Sequence, residues 1–182
     1  MAAHTTTLRG VFSFPNPVNE VSARTVAGGV AVLAWVTVGT RWPWLLPIVA
    51  YGFIARVLSG PTLSPWGQVV TRVIVPRLPF KARLIPGPPK RFAQGVGVAF
   101  TVPATLLWLV FGLWIPALVL VAFIGVAATL ESVFGLCLGC QVFNVLMRVG
   151  VIPTSVCEAC ANISLRAPRP DQTAPTPSPG TV

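Results

Sequence analysis

Residues 92 to 130 contain no Asp, Glu, Lys, Arg or His, and no other feature of this chain constrains its fold as strongly. Wound as one helix, that run would extend roughly 58 Å at 1.5 Å per residue, about twice the ~30 Å hydrocarbon core of a bilayer. It therefore predicts two membrane crossings joined by a turn. The composition agrees: 54% of the 182 residues are hydrophobic and 9% are charged, against ~25% charged in soluble domains. A soluble globule, a disordered body and a secreted disulfide scaffold all fit poorly. The chain reads as an all-α polytopic membrane protein whose partner is the lipid bilayer.

The apolar run divides into spans at about 92–113 and 117–138, turning at Trp114-Ile115-Pro116, where Pro116 suits the first turn of a helix. Two shorter spans precede it, at about 25–40 between Arg24 and Arg41 and at about 43–58 with Arg56 inside its far end. Both are near the short limit for crossing, so the flanking Arg side chains must snorkel or the bilayer must thin. The result is a four-helix bundle of two hairpins, a membrane domain over 24–166. A polar arm at 1–23 precedes it, and a disordered Pro-rich tail at 167–182 follows. Residues 1–20 carry no basic stretch leading into an apolar one, so no secretory signal is expected. A weak internal repeat, Arg24-Thr-Val-Ala-Gly28 against Arg91-Phe-Ala-Gln-Gly95, suggests hairpins related by an axis along the membrane normal.

The net charge is +9, and the basic residues sit between the spans. One side collects Arg9, Arg24, Arg72, Arg77, Lys81, Arg83, Lys90, Arg91, Arg148, Arg166 and Arg169, while the other has Arg41 alone. The positive-inside bias then puts both termini and the long connection in the cytoplasm, with Trp42, Trp44 and Trp114 at the outer interface of the cell membrane. This distribution speaks for anionic headgroups and against nucleic acid. In the connection, Ser64-Pro65 opens a helix over about 65–75 whose Trp66, Val69, Val70, Val73 and Ile74 share one face. It lies on the cytoplasmic surface or packs across the mouth of the bundle.

The four cysteines form two pairs, Cys137-Leu-Gly-Cys140 and Cys157-Glu-Ala-Cys160, in a segment over 137–160. The overall C-x2-C-x16-C-x2-C spacing lies in the range of four-cysteine zinc sites. On the cytoplasmic side, where thiols are kept reduced, the same pairs also suit thiol redox chemistry. Cys137 and Cys140 are expected at the C-terminal end of the fourth helix, where the macrodipole disfavours a thiolate. Ser155-Val-Cys-Glu158 reads as a capping box, which puts Cys157 in the first turn of a short helix with a lowered pKa. Cys157 is then the expected nucleophile, with Cys160 or the other pair resolving.

Arg56 and Glu131 are the charges expected inside spans. Arg56 lies roughly 20 Å along the second helix and Glu131 roughly 22 Å along the fourth, counted from the same side at 1.5 Å per residue. Equal depth predicts a structural pair between them, since a lone charge in hydrocarbon is costly. Otherwise Arg56 snorkels while Glu131 is neutral or bonds to Gln94. On one continuous helix Glu131 faces away from Cys137 and Cys140, so a role as their base is not expected.

Arg91-Phe-Ala-Gln94 opening a span, Phe134-Gly-Leu-Cys-Leu-Gly-Cys140 closing the last, Ser64-Pro65-Trp66-Gly67 and Pro76-Arg77-Leu78 resemble the signatures of an uncharacterised family of bacterial membrane proteins. That family is catalogued as a domain of unknown function and is frequent in high-GC Gram-positive bacteria. The resemblance covers about residues 17 to 162. It implies a four-span protein of the cytoplasmic membrane, with thioredoxin-like or rhodanese-like proteins as candidate partners.

Three readings follow for function. The first is a membrane dithiol protein passing thiols, electrons or sulfane sulfur to a soluble partner through Cys137, Cys140, Cys157 and Cys160. The second is a non-catalytic scaffold with zinc on the same four sulfurs. The third is a small solute carrier using Arg56 and Glu131.

Overall fold

The computed structural model describes Phe14, residues 16–79, residues 83–157 and Cys160. His4, most of the N-terminal arm, Lys81, Glu158 and the Pro-rich tail lie outside the described residues. The chain folds as an all-α bundle with a two-stranded antiparallel ribbon at one end. Strand β1 (Val18–Asn19) pairs with β2 (Leu84–Ile85), Val18 opposite Ile85.

Helix α1 (Glu20–Thr40) starts where the Asn19 side chain accepts the Val21 N–H at 3.0 Å, an N-cap that supplies one missing acceptor. It ends at Arg41, which takes the left-handed conformation with φ 54° and lays its guanidinium over the Trp114 ring at 5.0 Å. Helix α2 (Leu45–Ser59) stops at Gly60. With 15 residues it spans roughly 22 Å, less than a ~30 Å core. Among the described residues three helices have the length and composition to cross a membrane, α1, α4 (Gly87–Leu109) and α5 (Trp114–Phe134), and α2 is the shorter apolar fourth.

The connection behaves as its sequence signals require. Ser64 Oγ caps α3 (Pro65–Val69) by accepting the Gly67 N–H at 3.2 Å. The turns then loosen to a π-helix over Val70–Ile74 and tighten to a 3-10 turn over Val75–Arg77. This segment is docked, not free: the Trp66 indole donates to the Val26 carbonyl at 3.3 Å, and its ring lies against Gly29, where a Cβ would come within 2.3 Å. Val70 is fully buried. This docking onto α1 is compatible with both places expected for the connector, on the membrane surface and across the mouth of the bundle.

Helix α4 begins at Gly87, five residues before the expected Phe92, because Pro88 and Pro89 occupy first-turn positions where the missing N–H costs nothing. Lys90 and Arg91 are thereby helical. Helix α5 ends at Phe134, short of the expected Leu138. Gly135 adopts φ 70°, its N–H returns to the Glu131 carbonyl, and the Leu136 N–H reaches the Leu130 carbonyl at 3.2 Å, a left-handed αL closure. The residues after it form a separate amphipathic helix, α6 (Leu138–Arg148).

The closest packing joins α1 to α5 and α2 to α4, with α4 also touching α5 and α6 lying across α4. Two apolar clusters fill the interior, one around Val30, Val49, Phe53 and Ile124, the other around Ala34, Leu46, Ala104 and Val121. Outward positions are as apolar as the core: Ile48, Val110, Phe123 and Val133 are all exposed. Such a surface is rare on soluble monomers and matches a bilayer as solvent.

Candidate functional site

The start of α4 organises one end of the bundle, and each residue of Lys90-Arg-Phe-Ala-Gln94 engages α5, α2 or α6. Lys90 Nζ donates to Glu131 Oε1 on α5 at 2.5 Å, with the two side chains only 8% and 14% exposed. Arg91 donates through Nε to the Val57 carbonyl at 3.1 Å near the end of α2. The Phe92 ring meets Phe143 of α6 with centroids 5.6 Å apart. Ala93 forms the floor under Gly139, where a Cβ would come within 2.6 Å of the Ala93 Cα and Cβ atoms. Gln94 Oε1 accepts from Arg56 Nε at 2.9 Å. Across the bundle, Arg24 of α1 donates to the Ser132 and Val133 carbonyls at 2.8–3.3 Å, placing a cation on the last turn of α5.

The break at Gly135 reverses the expected setting of the first cysteine pair. Cys137 does not end a helix. It is the N-cap of α6, its Sγ accepting the Cys140 N–H at 3.4 Å. Its sulfur therefore faces the free N–H groups and positive end of an 11-residue helix, a setting that favours a thiolate. Both thiols are free, Cys137 buried and Cys140 half-buried, with their sulfurs 2.7 Å apart and Cys140 donating. That hydrogen bond is the largest influence holding the Cys137 pKa below the usual thiol range. Burial and the Glu131 charge oppose it, and the Lys90 ammonium and the Cys140 N–H support it. Cys140 moves the other way: donating to Cys137, then burial, then the Cys137 charge keep it protonated.

The second pair also differs from expectation. Ser155 lies in a 3-10 turn over Thr154–Val156, and Cys157 is joined to Cys160 in a disulfide with Cα atoms 5.2 Å apart. Glu158 of the expected capping box lies outside the described residues. The chain after α6 turns at Gly150, with φ 82°, and folds back. Val156 and Phe143 then line one cavity of about 420 Å³ together with Phe92 and Gly87. Both cysteine pairs thus occupy the same end of the molecule.

Arg56 and Glu131 do not form the direct pair expected from their depths. Glu131 takes Lys90, which the early start of α4 brings to the same level on a nearer helix. Arg56, almost fully buried, bonds Gln94 and stacks on the Phe53 ring at 4.8 Å. Gly135 breaks the continuous helix that would have turned Glu131 away from Cys137. Glu131 and Cys137 line the same cavity. A four-sulfur zinc site needs four thiolates in one shell. Here two of the sulfurs are bonded to each other, and among the described residues no group of three or more His, Cys, Asp or Glu converges.

Lys90 and Gly139 were not singled out from sequence as site residues, and Gln94, named there as a partner for Glu131, bonds Arg56 instead. Pro88-Pro89 was the available signal for Lys90, since it starts the helix early enough to include it. Gly135, a left-handed stop before Cys-x-x-Cys, was the signal for the N-cap.

A family described as Domain of unknown function (DUF4395) matches residues 18–148, a range that holds all four long helices, Lys90, Glu131 and the first cysteine pair. No curated protein and no solved structure matches the chain.

Proposed function

We propose, on the premise that this chain belongs to the DUF4395 family of domains of unknown function, that it is a multi-pass membrane protein exchanging electrons through paired thiols with a soluble partner. The observation that carries the reading is a dithiol with sulfurs 2.7 Å apart and a separate Cys157–Cys160 disulfide at one end of the bundle. One pair is set to give two electrons and the other to take them.

A partner dithiol reacts first with the oxidised pair. Its thiolate attacks one sulfur of Cys157–Cys160, the other sulfur leaves as a thiolate, and a mixed disulfide forms. The partner's second thiol then closes the partner's own disulfide, leaving Cys157 and Cys160 as thiols. Two electrons and two protons have passed to the chain. Cys137, with its lowered pKa, is the attacking thiol of the other pair, and Cys140, held protonated beside it, resolves. The nucleophile role assigned to Cys157 from its predicted helix start thus moves to Cys137.

The basic residues argue for placing this end in the cytoplasm, with both termini there and the chain in the cell membrane. Disulfides in a reducing compartment are usually transient and catalytic or redox-sensing, which suits the Cys157–Cys160 bond. The partner is a thioredoxin-like or rhodanese-like protein, the latter delivering sulfane sulfur to Cys137 in place of electrons.

The test is alkylation mass spectrometry with metal analysis on protein purified anaerobically in detergent. Equilibration in dithiol–disulfide buffers is expected to interconvert each pair between thiol and disulfide. About one zinc per chain with all four sulfurs protected would replace this reading with the scaffold.

A further inference from the structure

A cavity of about 370 Å³ lies inside the bundle at the cysteine end, walled by Val30, Phe53, Phe100, Phe123 and Ile124. Its volume is within the ~300–1,000 Å³ range of ligand pockets. Four polar side chains gather on its lining: Arg56, Gln94, Glu131 and Cys137. Two of them are engaged with partners, Glu131 with Lys90 and Gln94 with Arg56. Arg56 is 6% exposed and commits only Nε to a hydrogen bond among the described residues, leaving both Nη groups as donors without an acceptor. Among the described residues no fully buried side-chain nitrogen or oxygen lacks a partner, so these Nη groups are not sealed in the core but open onto free space, where an oxygen acceptor can reach them. Phe123 and Val142 line the cavity and are also exposed on the outside of the bundle. The cavity is therefore walled in part by residues at the molecular surface, Phe123 on the apolar span α5.

We propose that this cavity binds a lipid-soluble quinone and that the Cys137–Cys140 dithiol reduces it. The inference rests on the thiol-redox reading and names its electron acceptor. The occupant needs an apolar body, an oxygen acceptor for the Arg56 Nη groups, and a reason to lie against a dithiol. A fatty-acid carboxylate meets the first two conditions and fails the third, since it takes no electrons from a thiol. A quinone meets all three: its carbonyl accepts from Arg56, its ring lies among Phe53, Phe100 and Phe123, and its tail leaves past Phe123. The reaction balances within the site. Two S–H bonds break, the Cys137–Cys140 disulfide forms, and two electrons and two protons convert quinone to quinol. The Cys157–Cys160 pair, once reduced by the partner, restores the Cys137–Cys140 dithiol by exchange.

The experiment uses the full chain in lipid nanodiscs and decylubiquinone, a fully substituted ring with no free position for thiol addition. Under anaerobic conditions the reduced protein is expected to form quinol, with Cys137 and Cys140 recovered as a disulfide. The Cys137→Ser/Cys140→Ser variant should form none yet retain decylubiquinone in equilibrium dialysis. Arg56→Leu should weaken retention at least ten-fold. Ala127→Phe, which fills the cavity without touching a charge, should do the same if Arg56→Leu does not fold. Retention unchanged by Ala127→Phe, or displacement by oleate with no quinol formed by the reduced wild type, overturns the proposal. Oxidation of Cys137 and Cys140 by a soluble disulfide but not by the quinone overturns the quinone site and leaves the thiol-exchange reading standing. Oxidation by neither overturns both.

Discussion

Lys90 bears on both the stability of the bundle end and the chemistry of Cys137. Its ammonium lowers the Cys137 pKa while Glu131 raises it. A lower pKa means more thiolate at neutral pH, so the two substitutions act with opposite sign. Lys90→Met is expected to shift the pH midpoint of Cys137 alkylation upward, and Glu131→Gln to shift it downward, read by mass spectrometry after timed iodoacetamide pulses. Cys140, held protonated, should stay unmodified until Cys137 is blocked. The pair is also a buried ion pair, with side chains 8% and 14% exposed. Removing one partner of such a pair costs ~3–5 kcal/mol, whereas replacing both with apolar groups is often close to neutral. Lys90→Met should therefore lower thermal stability in detergent sharply, and adding Glu131→Leu should recover most of the loss. A double-variant loss equal to the sum of the Lys90→Met and Glu131→Leu losses would show that the two do not interact.

At the scale of elements, the start and stop signals decide where the cysteines lie. Pro88-Pro89 starts α4 early and Gly135 stops α5 early. The first shift brings Lys90 into the helix, and the second converts Cys137 from the end of one helix to the start of another. Gly139 then lets α6 settle onto α4, since any side chain there meets Ala93 backbone at 2.6 Å. Gly139→Ala is expected to cost ~1–3 kcal/mol by overpacking and, by lifting α6 away from Lys90, to raise the pH at which Cys137 alkylates. A fully stable Gly139→Ala protein with wild-type alkylation would remove this account of the motif's glycine. The periodic apolar face of the connector was legible in the sequence, as was the Ser64 cap. Its docking through Trp66 onto Gly29 was not, because the glycine that admits the indole lies on another helix.

For the whole molecule, the charge distribution predicts that the Trp114 turn and the cysteine end lie on opposite sides of the membrane. With Leu113→Cys in a cysteine-free background, a membrane-impermeant maleimide should label intact cells, whereas native Cys137 should react only after permeabilisation. The reverse pattern would invert the topology and place the thiols in an oxidising compartment. Much of the architecture was readable without coordinates, including the helical class, the uncharged hairpin, the connector helix and the clustering of cysteines at one end. These follow from composition and local backbone chemistry: apolar length sets the spans, and prolines, glycines and hydroxyl caps act within a turn of where they stand. Tertiary structure alone decided which charges met. Depth along two helices put Arg56 and Glu131 level, but a buried charge pairs with whichever partner the neighbouring helix brings within reach, and that depends on packing. Lys90 took Glu131 because α4 starts early beside α5, and Arg56 was left facing a cavity with donors to spare.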